Sequence, residues 1–314
     1  TTQSRKSPGQ HQMDVPLEPL TTAQEDGVLD DVGYSRKKLS EDLASVRSWV
    51  SEQKHFPSSA KSEPDAFFCN FLVGCKGDIK KAKGKIDNYY RFRSRAKDFY
   101  SERDPLAPAF AATWPYFQLL TLPKPTQDGC RLLMTLSGIP DFPGYDPVLI
   151  IKRILVILDM RLRSEKVQGG EYIIMDNKNY SLSYFLAVRP TFMRNVIHFI
   201  QNVMPWRIRG VISLNTPAFM HVAINRLIKP MMKTKIARRW HVYTEGSEVL
   251  TNHFPSEILP KDQGGGEDTL QEISDRWMEY ASSTHWREWL LKEGSETVEE
   301  DERQGLLPFT GLWG

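Results

Sequence analysis

The run Val148–Leu162 is apolar on almost every side of a helix: Val148, Leu149, Ile150, Ile151, Ile154, Leu155, Val156, Ile157 and Leu158 leave no polar face. Such a helix cannot lie on a surface and has to be covered on several sides. Lys152, Arg153, Asp159 and Arg161 interrupt the run well short of the ~18 apolar residues a membrane span needs. Asp146-Pro147 supplies an N-cap followed by proline at the first helical position, so the helix is expected over 147–163. Whatever else the chain does, it has to build layers around this element.

The flanking pattern says which layers. β-like runs occur at Cys130–Leu136, Glu171–Met175, Val211–Leu214 and His241–Tyr243, separated by helical patterns at 147–163, 182–200 and 217–232. Short strand, long helix, short strand is the signature of an α/β layer with a mostly parallel sheet. Asn215-Thr216-Pro217 repeats the cap-and-proline device before the last helix, and Pro230 must break or kink it. The preceding residues read as all-helical. Ser35 opens a face of Leu39, Leu43, Val46 and Val50, Asp65 a helix with Phe67, Phe68, Phe71 and Leu72, and Asp78 a face through Ala82, Ile86, Tyr89, Tyr90 and Phe92. The expected organisation is a flexible arm (1–34), a helical module (35–112), an α/β lobe (113–267), and a C-terminal helix with a loose acidic tail (268–314).

Several chemistries have no motif here. No G-x-x-x-x-G-K-[ST] is present, no G-x-G-x-x-G follows a strand, and no G-x-S-x-G elbow offers a serine nucleophile. The seven histidines show neither H-x-x-x-H nor H-E-x-x-H spacing, so no zinc site is read. Three cysteines (Cys69, Cys75, Cys130) form no C-x-x-C pair and read as packing thiols in a reducing compartment. Gly264-Gly265-Gly266 reads as a turn, and no secretory h-region opens the sequence, so the expectation is a cytoplasmic, monomeric protein without cofactor or metal and not an enzyme. A net charge of +2 asks for no nucleic acid, and no aromatic-and-basic stacking motif accompanies the local charge.

Two features remain. The helices of the α/β half carry more apolar surface than one sheet face needs, with Met134, Met160, Met175, Met193, Met204, Met231 and Met232 among them; they close into a dry core or line an adaptable cavity. Second, basic residues cluster: Arg207 and Arg209 precede a strand, and Arg226, Lys229, Lys233, Lys235, Arg238 and Arg239 follow along the next helix. This is a solvated face or a site for phosphate-bearing lipid headgroups, where each near-surface charge contributes ~1 kcal/mol at an anionic membrane.

A resemblance decides between these alternatives. Asp65–Leu72 through Tyr89–Arg93, then Ile174-Met175-Asp176, Met204–Gly210, Leu214–Pro217, Leu227–Pro230, and Ile258–Pro260 with Gly264-Gly265 resemble, in order and spacing, the CRAL-TRIO family over roughly residues 40–270. The likeness is to its tocopherol- and retinaldehyde-carrier branch, with Gly74-Cys75-Lys76 and the C-terminal extension similar to arthropod members. It implies a lobe whose mostly parallel sheet and helices enclose an apolar pocket, behind the small all-helical module, with a helical lid that opens at membranes.

Carried over by position, the resemblance implies a pocket floor of Met134, Leu136, Ile173, Met175, Val211 and Ser213. Its walls would be Ile150, Ile154, Val188, Val196, Ile200 and Met204, and its lid Ile224, Leu227, Ile228 and Met232. A basic cleft for phosphoinositides would fall at Arg207, Arg209, Lys235 and Arg239, with Lys229 from the K-P motif. Two positions depart from the family: an arginine of the N-terminal module is Cys75 here, beside Lys76, and the acidic partner of the K-P lysine is Trp206. Loss of that carboxylate argues against phosphatidylinositol as cargo and for tocopherol, a retinoid or a carotenoid. Tyr172, Ser213 and His221 are the candidates for orienting it. The expected partners are that small hydrophobic ligand and, transiently, an anionic or phosphoinositide-containing membrane. A phosphoinositide-binding signalling or trafficking scaffold without lipophile transfer is the alternative.

Overall fold

A computed structural model describes residues 15–114, 117–137 and 146–296. Five strands form one sheet in the order β1 (Phe117–Thr121), β2 (Arg131–Ser137), β3 (Glu171–Asp176), β4 (Ile208–Leu214) and β5 (Trp240–Val242). β1 pairs antiparallel with β2, and every later pair is parallel, each joined through a helical crossover. β1 has no alternating pattern strong enough to separate it from a loop, and sequence reading misses it.

The Pro147–Ser164 helix starts as its cap dictates, with the Asp146 carboxylate accepting from Val148 N at 2.8 Å. Its charged residues are not interruptions. Arg153, Asp159, Arg161 and Arg163 are all buried, and each is partnered. Arg103 Nη1 donates to Asp159 at 2.7 Å, Arg161 bridges Glu165 and Glu171 at 2.8 and 2.6 Å, and Arg163 pairs with Glu63. Arg153 donates to Thr113 O at 2.6 Å and lies over the Trp114 ring. A buried charge is tolerated only when paired and hydrogen-bonded, and these partners come from the N-terminal module as well as the lobe.

That module is the helices Arg36–Glu52, Asp65–Gly74 and Ile79–Arg95. Ser35 and Asp78 cap the first and third through Lys38 N and Lys81 N; Asp65 is the first helical residue of the second, behind Pro64, and makes no cap. The Asp65–Gly74 helix is sandwiched between the Arg36–Glu52 helix and the Pro147–Ser164 helix, which explains its wholly apolar stretch Phe67–Val73, broken only by Asn70.

Four expectations are corrected. Within the segment read as a flexible arm, Thr22–Asp31 is a helix with a Thr21/Gln24 capping box, and Leu17, Val28 and Leu29 are buried; residues 1–14 lie outside the described residues. The pattern at 182–200 is two helices, Leu182–Ala187 and Pro190–His198, because Pro190 holds Arg189 extended. Asn215-Thr216-Pro217 provides no side-chain cap: Asn215 adopts φ 49° and donates to Asp176 at 2.8 Å, and the helix begins at Ala218. Glu293–Ser295, placed in a loose tail, docks on the module, where Gly294 O and Glu293 O accept from Arg103 and Arg93; residues 297–314 lie outside the described residues.

Candidate functional site

One face of β1–β3 does not close against the helices above it. Leu119, Leu133, Thr135, Ile173 and Met175 face Ile151, Ile154, Leu155 and Leu158 across a cavity of about 170 Å³ whose walls present only apolar atoms. Val196, Phe199 and Ile200 close one side, and Trp206 another. Phe92 and Phe99 of the helical module complete the wall, held by Phe92–Phe199 at 4.7 Å and Phe99–Phe192 at 5.9 Å between ring centroids. An apolar void of about 150 Å³ stays dry and takes up a benzene-sized guest.

Five residues of the expected pocket line this space: Ile154, Ile173, Met175, Val196 and Ile200. The others do not. On β2 the inward residues are Leu133 and Thr135, which pair with Ile173 and Met175, so Met134 and Leu136 point to the opposite face. Side chains alternate along a strand, and a one-residue error in facing moves the whole set. On the long helix the inward residue is Ile151 rather than Ile150, and Val188 and Met204 pack elsewhere in the core.

Val211 and Ser213 share a face with Ile173 and Met175, but that part of the sheet is filled rather than hollow. A second apolar cluster of Ile197, Ile208, Val211, Met220, Ile224, Ile228 and Trp240 sits on it. Ile224 and Ile228 of the expected lid are its plug, Met232 packs at its edge, and Leu227 points outward with 58% exposure. Trp240 Nε1 donates to Ser213 Oγ at 2.9 Å, so that hydroxyl already has a partner. Tyr172 pairs with Gly210 on the far face and packs against Phe254, and His221 is exposed beside Asn225. Ile173, Met175, Ile200 and Trp206 touch both the hollow and the plug. The lid itself runs Ala218–Ala223 as α-helix, Ile224–Ile228 as a π-helical turn and Lys229–Met231 as a 3₁₀ turn. A second π turn, Phe199–Val203, faces the cavity; such turns interrupt the regular ladder and recur at functional sites.

Across the Ile200–Trp206 wall lies an open cleft of about 540 Å³ between module and lobe. Arg207, Arg209, Lys235 and Arg239 line it, together with Lys233 from the lobe and Lys76, Lys81 and Lys85 from the module, which the resemblance did not assign. Lysines at 76, 81 and 85 supply from the module the positive charge that Cys75 does not. Lys229 is not on this wall; its Nζ donates to Asn225 on the lid at 2.8 Å. Burial, with Lys233 and Lys81 adding, pulls Lys85 down to about 8, and its Nζ donates to Met204 O and Gln201 O. Gly74 makes the module fit: a Cβ there would meet Pro205 O at 1.8 Å.

Cys69, Cys75 and Cys130 are free and buried, and burial pushes the first and last up to about 11 and about 12, which suits packing rather than reaction. Among the described residues no helix is long and apolar enough to cross a membrane, and no His/Cys/Asp/Glu group could hold a metal ion.

Sequence reasoning missed Phe92, Phe99 and Trp206 as cavity walls. The first two lie outside the α/β half, and nothing in local periodicity ties them to it. Trp206 was read only as a missing carboxylate.

Comparisons with known proteins cover the same span. Residues 35–110 match the family described as "Pinta-like, UBA domain", and residues 119–265 match "CRAL/TRIO domain". The human protein named alpha-tocopherol transfer protein-like is 30% identical over 253 residues, spanning 75% of this chain and 70% of that one. Rat clavesin-2 is 25% identical over 209 residues, spanning 64% of this chain and 62% of its own. The crystal structure of Sfh5 aligns with a TM-score of 0.46 at 11% identity, over 82% of this chain and 92% of that one.

Proposed function

The chain belongs to the CRAL/TRIO family of lipophile-binding transfer proteins, and on that premise we propose that it carries a small lipophile such as tocopherol, a retinoid or a carotenoid and unloads it at anionic, phosphoinositide-bearing membranes. The observation that carries this reading is the cavity of about 170 Å³ with an entirely apolar wall. A space whose exposed wall is apolar suits a guest held by burial, at ~25 cal/mol for each Å² of apolar surface removed from water.

Pockets for drug-sized ligands run to about 300–1,000 Å³, so a full-length lipophile needs more room than the cavity offers when closed. The adjoining plug supplies it. Ile173, Met175, Ile200 and Trp206 border both spaces, so withdrawing Ile224 and Ile228 would merge them into one pocket under the lid. The membrane then has to favour the open form: a ligand or surface shifts such an equilibrium only by its preference for one state. Exposed Leu182, Leu186, Val222 and Leu227 give the lid side apolar contact area, and the basic cleft gives the electrostatic part.

The test is uptake and transfer. Purified protein is extracted with organic solvent, the extract identified by absorbance and mass spectrometry, and loaded protein assayed for delivery to vesicles with and without polyphosphoinositide. Replacing the exposed cleft lysines, Lys81→Glu with Lys235→Glu, should weaken vesicle binding in a salt-sensitive way while leaving the cargo bound. Binding to phosphoinositide vesicles without uptake of any lipophile would instead support the scaffold reading and end the carrier one.

A further inference from the structure

Asp31, the last residue of the Thr22–Asp31 helix, directs one carboxylate oxygen at two cleft arginines. Its Oδ2 lies 2.5 Å from Arg209 Nη2 and also accepts from Arg207 Nη2. The contact is not that of a wandering tail. The helix is fixed separately, by its capping box, by Gln24 Nε2 donating to Thr126 O at 3.1 Å, and by burial of Val28 and Leu29.

The position is electrostatically awkward for a carboxylate. A helix C-terminus carries partial negative charge and favours cations, yet this helix ends Asp30-Asp31 with no basic residue in its last turn. The two arginines offset that, and their hydrogen bonds hold the Asp31 carboxyl below its ordinary range. The arginines themselves have capacity to spare: Arg207 Nη1 is buried without a hydrogen-bond partner. Asp31 is 45% exposed while Arg207 is only 10% exposed, so an incoming anion meets the carboxylate before it meets the guanidinium.

We propose that Asp31 is a built-in competitor for the phosphate subsite of Arg207 and Arg209, and that it sets an affinity threshold which headgroups bearing a phosphomonoester clear and those bearing only a phosphodiester do not. The inference rests on the headgroup reading of the cleft. A phosphodiester carries one negative charge, no more than the carboxylate already in place. A phosphomonoester carries about −1.5 to −2 at neutral pH and three acceptor oxygens, enough to occupy both arginines and displace Asp31. Because the competitor is tethered, its effective concentration is fixed and dilution does not remove it.

The experiment compares the full chain with Asp31→Asn and Asp30→Asn. Binding is measured to phosphatidylcholine vesicles carrying an equal mole fraction of either phosphatidylinositol or phosphatidylinositol 4,5-bisphosphate. Asn is isosteric and the capping box, Gln24 and the buried Val28 and Leu29 still hold the helix, so the variant should stay folded, with thermal unfolding lowered only slightly by loss of the two ion pairs. Two partly exposed ion pairs are lost, so Asp31→Asn should bind the phosphatidylinositol vesicles roughly three- to tenfold more tightly. The gain on bisphosphate vesicles should be of similar size, because a tethered competitor penalises every ligand of its subsite by one factor, while the occupancy by phosphatidylinositol rises from a lower level. Asp30→Asn removes the same charge from an exposed neighbouring position and should change either affinity less than about twofold. No gain on either vesicle, gains matched by Asp30→Asn, or weaker binding by Asp31→Asn each overturn the competitor. Failure of all three proteins to bind either anionic vesicle overturns the headgroup reading itself, and the competitor with it.

Discussion

Trp206 and Ile200 each line both the apolar cavity and the basic cleft, so these two side chains are the wall between the cargo space and the charged surface. Trp206 directly precedes Arg207, the arginine held by Asp31, and a displacement on the charged side therefore reaches the apolar side through one peptide unit. Trp206→Ala should open a leak between the two. At ~25 cal/mol for each Å² of apolar cover lost, removing the indole should speed escape of a bound lipophile by roughly tenfold or more. A fluorescent lipophile in the variant should also become accessible to an aqueous quencher. Unchanged escape and unchanged quenching would show that the wall does not depend on Trp206.

The fit of module to lobe should fail at Gly74. A methyl group there collides with the Pro205 carbonyl, which sits in the segment leading to Trp206 and Arg207. Backbone cannot swing aside as a side chain can, so Gly74→Ala should cost about 1–3 kcal/mol as overpacking. Urea unfolding reads the cost, and vesicle binding should weaken in parallel because the cleft is built across that contact. Gly84, inside the Ile79–Arg95 helix where an added Cβ meets nothing, is the control: Gly84→Ala should leave vesicle binding unchanged and raise stability by about 0.5–1 kcal/mol, the opposite sign to Gly74→Ala.

These particulars show which parts of the molecule the sequence carries. The long apolar helix, the four parallel strands and the capping residues Ser35, Asp78 and Asp146 are local patterns and were legible as such. The facing of β2 was not: Leu132, Leu133, Met134 and Leu136 are all apolar, and period-two alternation cannot choose a face when both are buried. The buried Arg103, Asp159, Arg163 and Glu63 were invisible because each is satisfied by a residue far away in sequence. The same holds for Asp31 and for Phe92 and Phe99, whose roles come from docking one unit against another. Local pattern therefore gave the basic cluster on the lobe, the resemblance gave five of the residues that line the cavity, and both missed what the N-terminal residues add.

Acid should unfold the protein through the network under the Pro147–Ser164 helix. Burial opposes the charged form of Asp159, but the guanidinium groups of Arg103, Arg163 and Arg93 outweigh it and leave the carboxyl below its ordinary range; Arg131 and Arg161 do the same for buried Glu165. A carboxylate lowered on folding stabilises the native state fully above its unfolded pKa and loses that contribution as pH falls through the lower, native one. Thermal stability should hold from neutrality to about pH 5 and fall steeply below about pH 4. Asp159→Asn strands Arg103 without its charge partner and should cost about 3–5 kcal/mol at pH 7. Its melting temperature should also depend less on acid than the wild type's, and an identical acid slope in both would assign the transition to other carboxylates.

Membrane binding should weaken at mildly alkaline pH because of Lys85. Burial lowers it to about 8, whereas an exposed lysine stays charged well beyond that. An anion in the cleft gains from Lys85 only while the amine is protonated, so vesicle binding should be strongest below pH 8 and decline as pH rises through it. Folding stability runs the other way: a lysine lowered on folding releases its desolvation cost as pH climbs from about 8 toward its ordinary 10.5. Headgroup ionisation cannot produce the decline, since a phosphomonoester takes its second charge near pH 6 and only becomes a better ligand above it. Lys85→Arg keeps a charge at every accessible pH, so its binding should stay flat across about pH 7 to 9. Cosedimentation with bisphosphate vesicles over that range separates the two, and a decline of equal size in Lys85→Arg would remove Lys85 from the headgroup site.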